Sequence, residues 1–154
     1  MSNNVIEVQG LNIWVSSESR APRHIVKNVS FNLQRGQCLA LVGESGSGKS
    51  VTARALVGLA GEGLEVQADR LTLQDETLLG RSDRWWQQVR GSKVGFILQD
   101  ALVSLDPLRP VGKEIAEALA LHGWGSAASR QQKVHSLLEE VGVPQAAFRA
   151  SQRP

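Results

Sequence analysis

The chain has 154 residues, of which 42% are hydrophobic and 21% charged, and a formal net charge of +2. This suits a folded chain of about one domain and argues against disorder, while a surplus of 17 Lys and Arg over 15 Asp and Glu is too small to point to nucleic acid. One cysteine, Cys38, rules out an internal disulfide framework and fits a reducing compartment; MSNNVIEVQG lacks the features of a signal peptide, and no run approaches the ~20 apolar residues that span a bilayer. A soluble, cytoplasmic chain is expected, with any membrane role coming through a partner.

Ile6 and Val8, then Leu11, Ile13 and Val15, alternate around Gly10 as strands do. Residues 16–23 are polar, contain Pro22 and read as a loop. Val29, Phe31 and Leu33 predict a further strand, closed by a turn at 34–37. Cys38 to Val42 is a continuous apolar run, the pattern of a strand buried on both faces, with Cys38 in the core. Residues 50–60 predict a helix stopped by Gly61 and Gly63. Val66 to Leu73 reads as one strand, Asp75-Glu76 as a turn and 77–79 as a short extended piece. Residues 83–89 predict a short helix, and Val94 to Leu98 a second buried strand. Two helices follow, at 111–122 and 127–141; in the second, Val134, Leu137, Leu138 and Val141 follow the i, i+3, i+4, i+7 pattern. A composition shift near 100–110 marks a subdomain boundary.

The strongest chemical signal is GESGSGKS at 43–50, which fits G-x-x-x-x-G-K-[ST]. Four fixed positions, two of them glycine, put a chance match in this length well under roughly one in a hundred. Glycines at 43, 46 and 48 let the backbone turn tightly and bring its N–H groups close to anionic oxygen. The helix that follows turns its positive end to the same place. Lys49 supplies an ammonium for the β and γ phosphates, Ser50 a hydroxyl for Mg²⁺, and Val51 a backbone N–H. The expected nucleotide-binding residues are therefore Gly43, Glu44, Ser45, Gly46, Ser47, Gly48, Lys49, Ser50 and Val51. A structural strand-to-helix turn needs no Lys and Ser together at these places.

Three blocks resemble one family. RGSKVGFILQDALVSLDPLRPVGKEIAEAL (90–119) looks like the Q-loop region of ABC-transporter ATPases, in the oligopeptide, dipeptide and nickel importer branch. LALVGESGSGKSVTARALVGL looks like the Walker A context of that branch, and VIEVQGLNIWV with VKNVSFNLQRGQCLALVG like its opening. The resemblance implies an α/β fold of the P-loop NTPase, ABC-ATPase type: a mixed sheet with an antiparallel β part, then the start of a helical subdomain. It divides the chain into a nucleotide-binding core at 1–100 and a partial helical subdomain at 101–154.

The same resemblance makes Gln99 the Q-loop glutamine, touching Mg²⁺ and the attacking water and relaying nucleotide state. Ala101 stands where the family usually has proline, and Asp106 where it often has asparagine. An aromatic that stacks on adenine falls at Trp14 or Val15: either Trp14 stacks on the base, or it is a core residue while Val15 faces the base. Trp85 and Trp86 read as packing, Glu139-Glu140 as a solvated face, and His24, His122 and His135 show no metal-ligand spacing.

The resemblance implies coupling of Mg-ATP binding and hydrolysis to uptake of a peptide-like solute or nickel, with ATP and Mg²⁺ as cofactors. Implied partners are membrane-spanning permease subunits and a second ATPase subunit, on the inner face of the cell membrane. In the family, the region at FRASQRP runs into Tyr-Pro-His and then the signature motif, with Walker B, its glutamate and the switch histidine later still. The chain thus reads as truncated just before the signature, with the C-terminal part of the fold absent, and is expected to bind Mg-ATP with little turnover and to self-associate. The alternatives are a non-hydrolytic docking module, a non-functional truncated product, or a small P-loop kinase. The last is disfavoured by the 42 residues before Gly43 and by the lack of an Arg-rich lid.

Overall fold

The computed structural model describes residues 3–17, 20–98 and 105–154. The chain divides into two compact units, Met1–Trp86 and Gln87–Pro154.

The first unit is built on β1 (Asn4–Ser17) and β2 (Arg20–Gln34), a long antiparallel hairpin. The opposite edge of β1 is shared by two short strands: β4 (Arg70–Leu73) pairs with its first half and β3 (Leu64–Gln67) with its second. β5 (Glu76–Thr77) completes the order β2-β1-β4-β5. All ladder pairings among the described residues are antiparallel; a single isolated parallel bridge joins Arg90 and Val94. Cross-strand pairing sorts the faces. Ile13 lies opposite Val66 and Val15 opposite Leu64, while Asn12 and Trp14 lie opposite Gln67 and Glu65. Val8, Leu11, Ile13, Val26, Leu71 and Leu73 are buried.

Several sequence expectations are corrected. Residues 20–23 are strand, not loop: the polar hairpin end continues the ladder with Val15 opposite Arg23. The stretch 66–73 is two strands, because its halves pair with different parts of β1. Between β4 and β5, Gln74 and Asp75 both take positive φ (49° and 65°), the backbone that a two-residue hairpin turn requires. Helix α1 (Lys49–Ala55) is shorter than 50–60. It ends at Gly58, not Gly61: Leu59 N–H donates to Arg54 O at 2.8 Å and Gly58 N–H to Ala55 O at 3.3 Å, a Schellman closure.

The larger correction concerns 38–42 and 94–98, neither of which forms a strand. Leu39, Leu41 and Val42 are 44%, 38% and 88% exposed, and Ile97 is 93% exposed. Cys38 is exposed, not core. A strand needs neighbouring strands to pair its edges and packed layers to cover its two faces, and among the described residues no strand ladder includes 38–42 or 94–98.

Helix α2 (Asp83–Val89) forms where expected. The second unit holds α3 (Val111–Leu121), α4 (Ala127–Glu140) and α5 (Ala146–Ser151). Ser126 caps α4 by accepting from Ser129 N–H at 3.2 Å. Val134, Leu138, Ala146 and Ala150 form a small core with Ile115, Ala116, Leu119 and Val143 packed on it. Val141, expected on the same stripe, is 75% exposed, since the helix has ended before it. Helix α5 went unread in the sequence; Val111 N–H donates to Gln152 O at 2.9 Å and ties its end to the start of α3. Among the described residues no helix is long and apolar enough to cross a membrane.

Candidate phosphate-binding site

The loop 43–48 leads directly into α1 and folds around its own lysine. Lys49 Nζ donates to Gly43 O at 2.8 Å and to Glu44 O at 2.7 Å. Its third interaction, with Ser47 Oγ, is 3.4 Å long. An ammonium has three N–H donors, so the weakest of the three is the one most readily exchanged for an anionic oxygen. Ser47 N–H donates to Glu44 O at 3.2 Å and keeps the loop tight.

At two glycines the chain makes a close approach. A Cβ at Gly43 would stand 2.8 Å from Ser47 Oγ. A Cβ at Gly48 would stand 2.9 Å from Val26 Cγ2 and 3.4 Å from Ile25 O. Gly48 also has φ +90° and is buried, and Thr52 N–H donates to its carbonyl at 2.8 Å. Gly46 faces open space. The loop is thus a shallow, exposed cradle of backbone with a cation over it, which fits a phosphate chain. Ser50 is exposed on α1, one residue past Lys49. Among the described residues no group of three His, Cys, Asp or Glu is placed to hold a metal. The residues present fit Mg²⁺ only as a companion of phosphate, which supplies oxygens itself.

The structure brings Gly43 to Val51 together as one segment. Gln99 lies outside the described residues, as do 100–104. Trp14 is neither a core residue nor on the face that meets Gly48. It sits on the polar face of β1 opposite Glu65, whereas Val26, which meets Gly48, pairs with the buried Ile13. One face of its indole is covered by His24, with ring centroids 4.4 Å apart and planes 10° apart. His24 Nε2 is held by Asn12 Oδ1 at 2.9 Å, which also accepts from Asn28 N–H at 3.0 Å. Val15, two residues from Ile13, shares the Ile13 face.

Sequence reasoning missed Ile25 and Val26, which support the loop from β2. Their signal was weak: a polar His24 and a charged Lys27 flank them and hide the alternation. A separate cleft of about 620 Å³ lies between α3, α4 and α5. Its lining mixes small residues such as Gly112, Ala116 and Ala150 with Lys113, Glu117, Gln131 and His135, and its Arg130 already donates to Trp124 O and Gly125 O.

Residues 26–153 match the family model described as ABC transporter. The chain is 39% identical to the dipeptide transport ATP-binding protein DppD of Lactococcus lactis subsp. cremoris, over 97% of this chain and 43% of that protein. It is 35% identical to the Escherichia coli protein of the same name, over 97% and 46%. It is 38% identical to the glutathione import ATP-binding protein GsiA of Shigella boydii, over 99% and 25%. The chain therefore spans less than half the length of these curated relatives.

Proposed function

This chain belongs to the ABC transporter family, and from that premise we propose that residues 43–51 bind the phosphates of ATP as part of an ABC importer's ATP-binding subunit. The observation that carries the reading is the Lys49 ammonium held over the loop by the carbonyls of Gly43 and Glu44. Lys49 exchanges its long bond to Ser47 for a phosphate oxygen. Backbone N–H groups of the loop complete the contact, and the tight approach of Gly48 to β2 keeps them in place. Mg²⁺, when bound with the nucleotide, offsets phosphate charge; Ser50 is the described residue that would hold it, and Gln99 is the second by family resemblance. In this reading the base lies on the Val15 side of β1, a choice supported by Trp14 lying on the opposite face, against His24.

The solute is peptide-like, a reading supported by the dipeptide and glutathione proteins to which the chain is similar. Membrane-spanning permease subunits and a second ATPase subunit are the partners, and the chain acts at the inner membrane face through them. A polypeptide of these 154 residues binds Mg-ATP with little turnover, because none of them matches the Walker B aspartate, the glutamate after it or the switch histidine. A positioned base and a charge-stabilising histidine each matter to phosphoryl transfer. Phosphate release near background from pure protein supports this. Release at the rate of a full-length relative, lost in Lys49→Ala, overturns it.

A further inference from the structure

The helix behind the phosphate loop is seated at both ends by a glycine lying against a large side chain. At its start, Gly48 rests on β2, with Val26 Cγ2 2.9 Å from the place of a Cβ. Val26 is only 3% exposed and cannot yield outward. At its end, Gly58 lies under the Trp86 indole, so close that a Cβ would stand 2.7 Å from Nε1 and overlap the ring atoms beside it. Trp86 is 6% exposed. It is fixed in turn: Trp85 meets it edge to face at 5.0 Å, and Arg81 lies 4.7 Å over the Trp85 ring. Arg81 Nε donates to Thr77 O at 2.6 Å, which ties the aromatic pair to β5.

We propose that Val26 and Trp86 are positioning residues for the phosphate loop: between them they fix the two ends of the α1 segment, at Gly48 and at Gly58. The inference rests on the nucleotide reading above and deepens it. Neither side chain touches the ligand. Each acts by limiting how far its end of α1 can shift, and the loop moves with α1 because Lys49, its first residue, carries the ammonium. Close-packed contacts transmit a sub-ångström displacement instead of absorbing it.

The test measures Mg-ATP and inorganic tripolyphosphate affinity for Val26→Ala, Trp86→Phe, Trp86→Ala, Gly48→Ala and the Gly48→Ala/Val26→Ala pair. All are measured well below each variant's melting midpoint, with amide resonances of Gly46 and Gly48 recorded without ligand. Val26→Ala and Trp86→Ala should each weaken both ligands by at least about fivefold and shift both amides. Trp86→Phe should recover part of the loss. The added methyl of Gly48→Ala should cost less when Val26 is alanine, a coupling that general destabilisation does not produce. Unchanged affinities and unshifted amides in folded variants would overturn the proposal. If the unaltered chain bound neither ligand, the nucleotide reading would fall, and the ligand-free amide shifts would still decide whether Val26 and Trp86 set the loop.

Discussion

Lys49 Nζ lies 2.8 Å from the carbonyl oxygen of Gly43, six residues earlier in the chain. The loop therefore stores its cation on its own backbone. A compact ammonium on a flexible stem fits between two carbonyls and can turn one N–H outward; a guanidinium is larger and planar, and its fixed fork does not reproduce that geometry. Lys49→Arg should keep the charge yet weaken Mg-ATP by about tenfold, close to 1.4 kcal/mol. Calorimetric titration checks this, and an arginine variant binding as well as the parent would show that charge alone matters.

Gly43 and Ser47 test the loop's internal packing. Gly43→Ala puts a methyl 2.8 Å from Ser47 Oγ and should lower both nucleotide affinity and melting temperature. Ser47→Ala in the same chain should restore part of each, since the colliding oxygen is gone. Equal losses in the single and double variants would place the strain elsewhere.

The apolar run before the loop bears on solubility. Val42 is 88% exposed and Leu39 44% exposed, on a segment that joins no sheet among the described residues. Extended apolar stretches with unpaired backbone recruit other chains. Sedimentation should show self-association that rises with concentration, and Val42→Lys should reduce it. Because Val42 is so exposed, the same change should alter stability by no more than about 0.5 kcal/mol. A monomer at all concentrations would contradict this.

In the second unit, Ser136 Oγ donates to Glu140 Oε1 at 2.8 Å, and Lys133 Nζ is 3.5 Å from the same oxygen. The hydrogen bond first, and the lysine second, hold the Glu140 carboxyl below the usual glutamate range. A carboxylate that titrates lower when folded stabilises the fold above the unfolded value and loses that contribution as pH falls through the folded one. Ser136→Ala should raise the Glu140 midpoint toward its ordinary value in a side-chain NMR titration. An unmoved midpoint would leave Lys133 as the cause.

Local patterns were legible where a segment's own neighbours decide its fate. The alternation at Ile6, Val8, Leu11 and Ile13 marks β1, and GESGSGKS marks the loop. Residues 38–42 and 94–98 misled for the opposite reason. Their apolar runs describe a strand between two others, and strand formation there depends on partners supplied from elsewhere. Pro22 suggested a loop, yet the strand outlasts it because its face is set by pairing with β1. Trp14 was ambiguous by one residue, and in a strand one residue is the difference between faces. Val26 and Gly58 were invisible as supports, because which side chain a glycine lies against is decided by tertiary packing.

The most direct test is equilibrium binding of Mg-ATP to the 154-residue chain and to its Lys49→Ala variant. Saturable binding by the first, at least about tenfold weaker in the second, is the predicted result, equivalent to 1.4 kcal/mol or more at the loop. Equal binding by both, or none by the unaltered chain, would contradict residues 43–51 as the nucleotide site.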